Sequence, residues 1–133
     1  MRKLGQSLAA AALAIGLSGG VAQAVTVQDY QNTVLTTAAD LATLCSATPD
    51  DSVGTAAINF CHGYARGAVA TYLQHDSATR RPLKLFCIPT PAPLPGPTLT
   101  AFAAWVKANP QHANDKPVDG LFRFLGITFP CGK

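Results

Sequence analysis

The chain contains no glutamate. Its seven acidic residues are all aspartates, and charged residues make up only 13% of its 133 positions. So few carboxylates leave little material for a paired acid–base site. The one adjacent pair, Asp50 and Asp51, falls in a Ser-, Thr- and Pro-containing stretch where Asp serves turns and helix caps. The four cysteines, at 45, 61, 87 and 131, include no C-x-x-C pair, which argues against a zinc site, c-type haem attachment and thioredoxin-like exchange. The G-x-S-x-G, H-E-x-x-H, P-loop and dinucleotide-binding signatures are also missing. Past the first two dozen residues no apolar run reaches the roughly 18 needed to span a bilayer. No stripe of Lys and Arg offers a track for nucleic acid. Neither catalysis, a cofactor nor a bound metal is expected.

What is there begins with a secretory leader. Met1-Arg2-Lys3 is its positive start, residues 8 to 17 are an Ala- and Leu-rich apolar run, and Ala22-Gln23-Ala24 is an A-x-A cleavage site. Cleavage after Ala24 removes 24 of 133 residues and leaves 109, residues 25–133, enough for one small domain with one core. The leader also takes two of the ten basic residues, so eight face seven acidic ones and the exported chain is nearly neutral. With no later apolar run long enough to span a bilayer, a soluble domain exported to an oxidising compartment is expected. In that oxidising compartment four cysteines make two disulfides.

Apolar periodicity predicts about four helices and no strands, an all-α bundle stapled by those disulfides. Over residues 28 to 45, Val34, Ala38, Leu41 and Cys45 share one helical face, widened by Leu35, Ala42 and Leu44. A turn follows, with Asp51 or Ser52 as cap, and then a helix over residues 53 to 74 that carries Ala57, Cys61, Tyr64, Ala68 and Tyr72 on one side. Such a helical hairpin brings Cys45 near Cys61, and Cys131 at the chain's end then reaches back to Cys87. Four cysteines nonetheless allow three pairings. Residues 75 to 84 carry His75, Asp76, Arg80, Arg81 and Lys84 and read as an exposed connection. Five alternating prolines at 89, 91, 93, 95 and 97 read as a stiff extended strap. A third helix over 99 to 108, capped by Thr98 or Thr100, buries Phe102, Trp105 and Val106. A fourth, capped by Asp115 with Pro117 in its first turn, buries Leu121, Phe122, Leu125 and Phe129.

Within the second helix, residues 61–67 read Cys-His-Gly-Tyr-Ala-Arg-Gly. Glycine inside a helix costs about 1 kcal/mol against Ala, so Gly63 and Gly67 at i and i+4 suggest that another backbone comes close. The leading expectation is a neighbouring helix of the same chain, and the alternative is a dimer or partner interface. Tyr64 is expected to be a core aromatic with its hydroxyl at the rim. His62 beside Cys61 could suggest a nucleophile pair, but helix neighbours point about 100° apart and the thiol is expected to be oxidised. His75 and Asp76 with Arg80 and Arg81 suit a solvated loop better than an anion site.

The order of motifs resembles a known family. A helix ending Leu44-Cys45, then Cys61-x-Gly-Tyr-x-x-Gly, Phe86-Cys87-Ile88-Pro89, a helix ending Asn109-Pro110, and Phe129-Pro130-Cys131 are similar to the Rap/Tai immunity proteins. The resemblance implies a small, exported, all-helical and non-catalytic protein that occludes the substrate cleft of a peptidoglycan amidase delivered by type VI secretion, often as a homodimer. The matching positions, Cys45, Cys61, Gly63, Tyr64, Gly67, Cys87 and Cys131, are mostly scaffold. The stretch with His75, Asp76, Arg80, Arg81 and Lys84 is therefore the candidate for partner binding, on polarity and length. The proline strap is longer and stiffer than the family pattern suggests. Two alternatives remain: a periplasmic helical stress or chaperone-like protein of the HdeA kind, and an envelope enzyme or ligand carrier.

Overall fold

The computed structural model describes residues 35–78 and 84–132. The leader, residues 28–34 of the expected first helix, and Arg80 and Arg81 lie outside the described residues. Among the described residues there are four α-helices and no strand: α1 (Ala38–Cys45), α2 (Ser52–Ala78), α3 (Pro95–Ala108) and α4 (Pro117–Thr128), with a short 3-10 turn, Pro110–His112, before α4. The all-α fold expected from periodicity is the one observed.

At eight residues, α1 is too short to hold a helix by itself. Its N-terminus is secured by a complete set of acceptors. Thr37 accepts from the Asp40 N–H at 3.2 Å, and the Asp40 carboxylate accepts in return from the Thr37 N–H at 2.8 Å, a reciprocal capping box. The Thr37 carbonyl takes the Leu41 N–H at 3.3 Å, and the carbonyls of Asp115 and Ala113 take those of Ala38 and Ala39 at 2.8 and 3.0 Å. The four amides that a helix start leaves unpaired, those of Thr37, Ala38, Ala39 and Asp40, are thereby satisfied, the Leu41 bond being the first within the helix. This cap places the start of α1 at Ala38, with Leu35 to Thr37 non-helical, so the helix expected over 28 to 45 does not run unbroken through these three residues. Partial burial raises the Asp40 pKa, but the hydrogen bonds from Thr37 and Thr36 outweigh it and hold the carboxyl below its ordinary value.

Around α1 the other three helices close one core. It contains Leu41, Ala57, Cys61, Phe86, Leu99, Phe102, Val106, Leu121, Phe124 and Leu125, with Ala38, Leu41, Ala57, Cys61 and Phe102 wholly excluded from solvent. Trp105 is half-buried at its edge. Phe124, which the sequence reading passed over, meets Phe102 edge-on at 5.8 Å. Gly120 allows the closest helix–helix approach, since a Cβ there would lie 2.5 Å from the Cβ of Ala38.

Both disulfides pair as hairpin order suggested: Cys45–Cys61 ties α1 to α2, with Cα atoms 5.2 Å apart, and Cys87–Cys131 ties the strap to the chain end, 4.9 Å apart. The Cys87 N–H also donates to the Phe129 carbonyl at 2.8 Å.

Several boundaries differ from expectation, for local reasons. The strap stops at Leu94, because Pro95 and Pro97 enter the first turn of α3, where the missing N–H groups would be unpaired in any case. Leu94, rather than Thr98 or Thr100, is the N-cap residue. The N-cap of α4 is Lys116, and the Asp115 carboxylate turns instead to His112 at 3.0 Å and Arg123 at 3.3 Å. Asp51 does cap α2, accepting from the Gly54 N–H at 2.7 Å, and α2 continues to Ala78. His75 and Asp76 consequently sit on its last turns and not in a connection.

Candidate partner-binding surface

The unequal lengths of the helices create the surface. At 1.5 Å per residue, α2 is about 40 Å long and α1 about 12 Å. The shorter helix is tied to the first half of α2 through Cys45–Cys61, and in the second half only Ala65 among the described residues is buried, with Ala68, Val69 and Tyr72 partly buried against the core. What anchors that half is an aromatic cluster: Tyr72 lies 4.8 Å from Phe86 and 5.3 Å from Phe122, ring centre to ring centre, and its hydroxyl accepts from the Leu85 N–H at 2.8 Å. With residues 100° apart around the axis, two flanks of α2 stay open, one on each side of this anchor.

Gly63 and Gly67 lie on the first flank. Among the described residues, no atom of another element comes within 4 Å of the place a Cβ would take on either one. They form the floor of a groove of about 560 Å³ whose walls include Tyr64, Tyr72, Val118 and Phe122, with His75 at its far end. Phe60, 41% exposed, stacks on Tyr64 at 6.5 Å and extends the apolar surface beyond it. Tyr64 is half-buried; burial, and then the nearby Asp119 charge, push its phenol above the ordinary value, so the hydroxyl stays protonated and able to donate.

Of the residues singled out for partner binding, the structure brings His75 to this groove and puts Asp76 beside it on the last turns of α2. Lys84 is exposed where the described chain resumes, next to Leu85 and its bond to Tyr72. Arg80 and Arg81 fall outside the described residues. Thr71, Val118 and Phe60 belong to the surface and were not singled out. An exposed Phe four residues before Tyr64 is the one signal that could have drawn attention to it.

Among the described residues, the groups weighed for catalysis are engaged elsewhere. Cys61 is oxidised and buried, and His62 is half-buried against Gly96 at the start of α3. Asp50 accepts from the Thr48 hydroxyl, and Asp51 is the cap of α2. His112, stacked on Trp105 at 5.4 Å, and Asp115 form a joint that the sequence reading missed. The Asp115 carbonyl caps α1 while its carboxylate holds His112 and Arg123, so the group fastens the α3–α4 connection to its neighbours. No three metal-ligating side chains cluster among the described residues. None of the described helices is long and apolar enough to cross a membrane.

The family profile described as Rap1a immunity proteins matches residues 37–131. The chain belongs to the Rap1a immunity protein family. The match runs from the capping Thr37 to Cys131, and so takes in all four helices, both disulfides and the whole glycine-floored groove. No curated protein and no solved structure matches the chain. Membership makes this an immunity protein for a secreted effector, a role that calls for a binding surface.

Proposed function

We propose that this Rap1a-family protein is exported to the periplasm, with its leader cleaved after Ala24, and neutralises a peptidoglycan amidase delivered by type VI secretion. It does so without chemistry of its own, by docking on the amidase and occluding the substrate cleft. The groove over Gly63 and Gly67 is the docking surface, and the polar stretch that starts at His75 and Asp76 and runs on through Arg80, Arg81 and Lys84 is the part that enters the cleft.

The observation that carries this reading is the open pair of glycines. Each costs α2 about 1 kcal/mol of helix propensity, and no described residue packs on it in return. Tyr64, Tyr72 and Phe60 frame that bare backbone with the rigid aromatic surface on which interface energy concentrates. Two formed disulfides suit an oxidising compartment.

The test is inhibition of the cognate amidase on peptidoglycan by the purified, oxidised protein. Wild type is expected to abolish activity at an equimolar ratio. Gly67→Arg, which meets no described residue, is expected to weaken inhibition at least 100-fold while circular dichroism shows the helix content kept and the melting temperature does not fall. Full inhibition by Gly67→Arg would refute the groove as the docking surface. Failure of wild type to inhibit any secreted amidase of its host would refute the amidase reading.

A further inference from the structure

The opposite flank of α2 bounds a second, solvent-open pocket of about 330 Å³ between α2, the proline strap, the start of α3 and α4. Val69 and Leu73 form its α2 wall, Ile88 and Pro93 the strap wall, and Leu125 and Phe129 the α4 wall. Only two polar side chains line it. Thr98 donates its hydroxyl to the Leu94 carbonyl at 3.0 Å, and Arg66 at the mouth is exposed and has no carboxylate partner among the described residues. We propose that this cavity is a binding site for a small amphiphilic anion: a single acyl chain fills it and the carboxylate lies on the Arg66 guanidinium.

Three observations support that chemistry. The size is right, since at about 30 Å³ per water-sized group the cavity holds roughly ten methylenes. The charge is right, because a guanidinium fork pairs with a carboxylate through two parallel hydrogen bonds, and Arg66 is the single cation on an otherwise carbon surface. The walls are also fixed in advance. Cys87–Cys131 and the bond from the Cys87 N–H to the Phe129 carbonyl hold the strap to the end of α4, the Leu85–Tyr72 bond holds it to α2, and alternating prolines stiffen it up to the first turn of α3. A rigid apolar pocket with one oriented polar group is the form that small-ligand sites take. The cavity shares no lining residue with the glycine groove, so the inference stands apart from the proposed docking.

The probe is decanoate, titrated by calorimetry into the oxidised protein below its micelle concentration, with native mass spectrometry for stoichiometry. One decanoate per chain is expected, with acetate failing to compete. Arg66→Gln is expected to weaken binding at least 10-fold. Ala70→Trp, which fills the cavity from an exposed position on α2, is expected to abolish binding while helicity is kept. Gly67→Arg, on the other flank, should leave the affinity unchanged. Absence of binding at millimolar decanoate would overturn the proposal. So would an affinity that Ala70→Trp leaves intact, which places the ligand elsewhere, or one indifferent to Arg66→Gln, which removes the role assigned to the anion.

Discussion

Gly120 of α4 lies so close to Ala38 at the start of α1 that a Cβ on the glycine would stand 2.5 Å from the alanine's own. Neither partner can yield. Ala38 has no torsion to turn away with, and its backbone is held by the bond from its N–H to the Asp115 carbonyl. Gly120→Ala would gain about 1 kcal/mol of helix propensity and would incur an overpacking cost of about 1–3 kcal/mol. With a clash this deep the upper part of that range applies, so we predict a net loss of about 1–2 kcal/mol, a melting temperature lower by roughly 4–15 °C for a domain of this size. Differential scanning calorimetry of the variant is the check, and an unchanged melting temperature would contradict the packing described.

The opposite sign is expected at Gly63 and Gly67. Both stand in the interior of α2 with no described residue within 4 Å of a Cβ, so Ala at either one adds helix propensity and meets none of them. Each substitution should raise stability by up to about 1 kcal/mol, and the pair should be close to additive. Urea denaturation of the two single variants and the double variant measures this directly. Destabilisation would mean that these glycines pack against something within the chain after all.

Loss of the Thr37 hydroxyl removes an acceptor from the Asp40 N–H and breaks the capping box. Thr37→Ala should cost about 1 kcal/mol, as N-cap truncations commonly do. The pH dependence follows from the partner. Asp40 has a folded-state pKa below its ordinary 3.8, so its carboxylate stabilises the fold above about pH 4, and that contribution is lost as pH falls through the lower, folded value. Asp40→Asn should therefore show a flatter decline of stability below pH 4 than wild type does. Parallel acid-unfolding curves for the two proteins would expose the fault in this argument if they had the same slope.

Reduction should be more damaging than any of these changes. The bridges close loops with sequence separations of 16 and 44, and chain-entropy estimates give about 3 and 4 kcal/mol for them. A small domain has only about 5–15 kcal/mol in total. We predict that the protein treated with dithiothreitol is largely unfolded at 37 °C by near-ultraviolet circular dichroism, whereas the oxidised form is folded. A reduced protein with an unaltered spectrum would mean that the core is sufficient without either bridge.

Helix content, the buried stripes of α1 and α2, and the Cys45–Cys61 pairing were legible in the chain, because each depends on residues near in sequence or on a short hairpin; Cys87–Cys131 then followed by elimination, and the family signature from the order of the motifs. Two features were decided by tertiary contact. The Asp115 side chain was free to serve as a cap by its position, yet the fold assigns its carbonyl to Ala38 and its carboxylate to His112 and Arg123. The glycines show the same division. Spacing drew attention to Gly63 and Gly67, which face open space, while Gly120 against Ala38, and Gly54, where a Cβ would meet the Thr48 carbonyl oxygen, are the ones that backbone packing requires. A glycine's helix cost is a local property and can be read from one position. Whether anything lies beside it depends on which other segment folds back there, and that is settled only when α1, α2 and α4 close on one another.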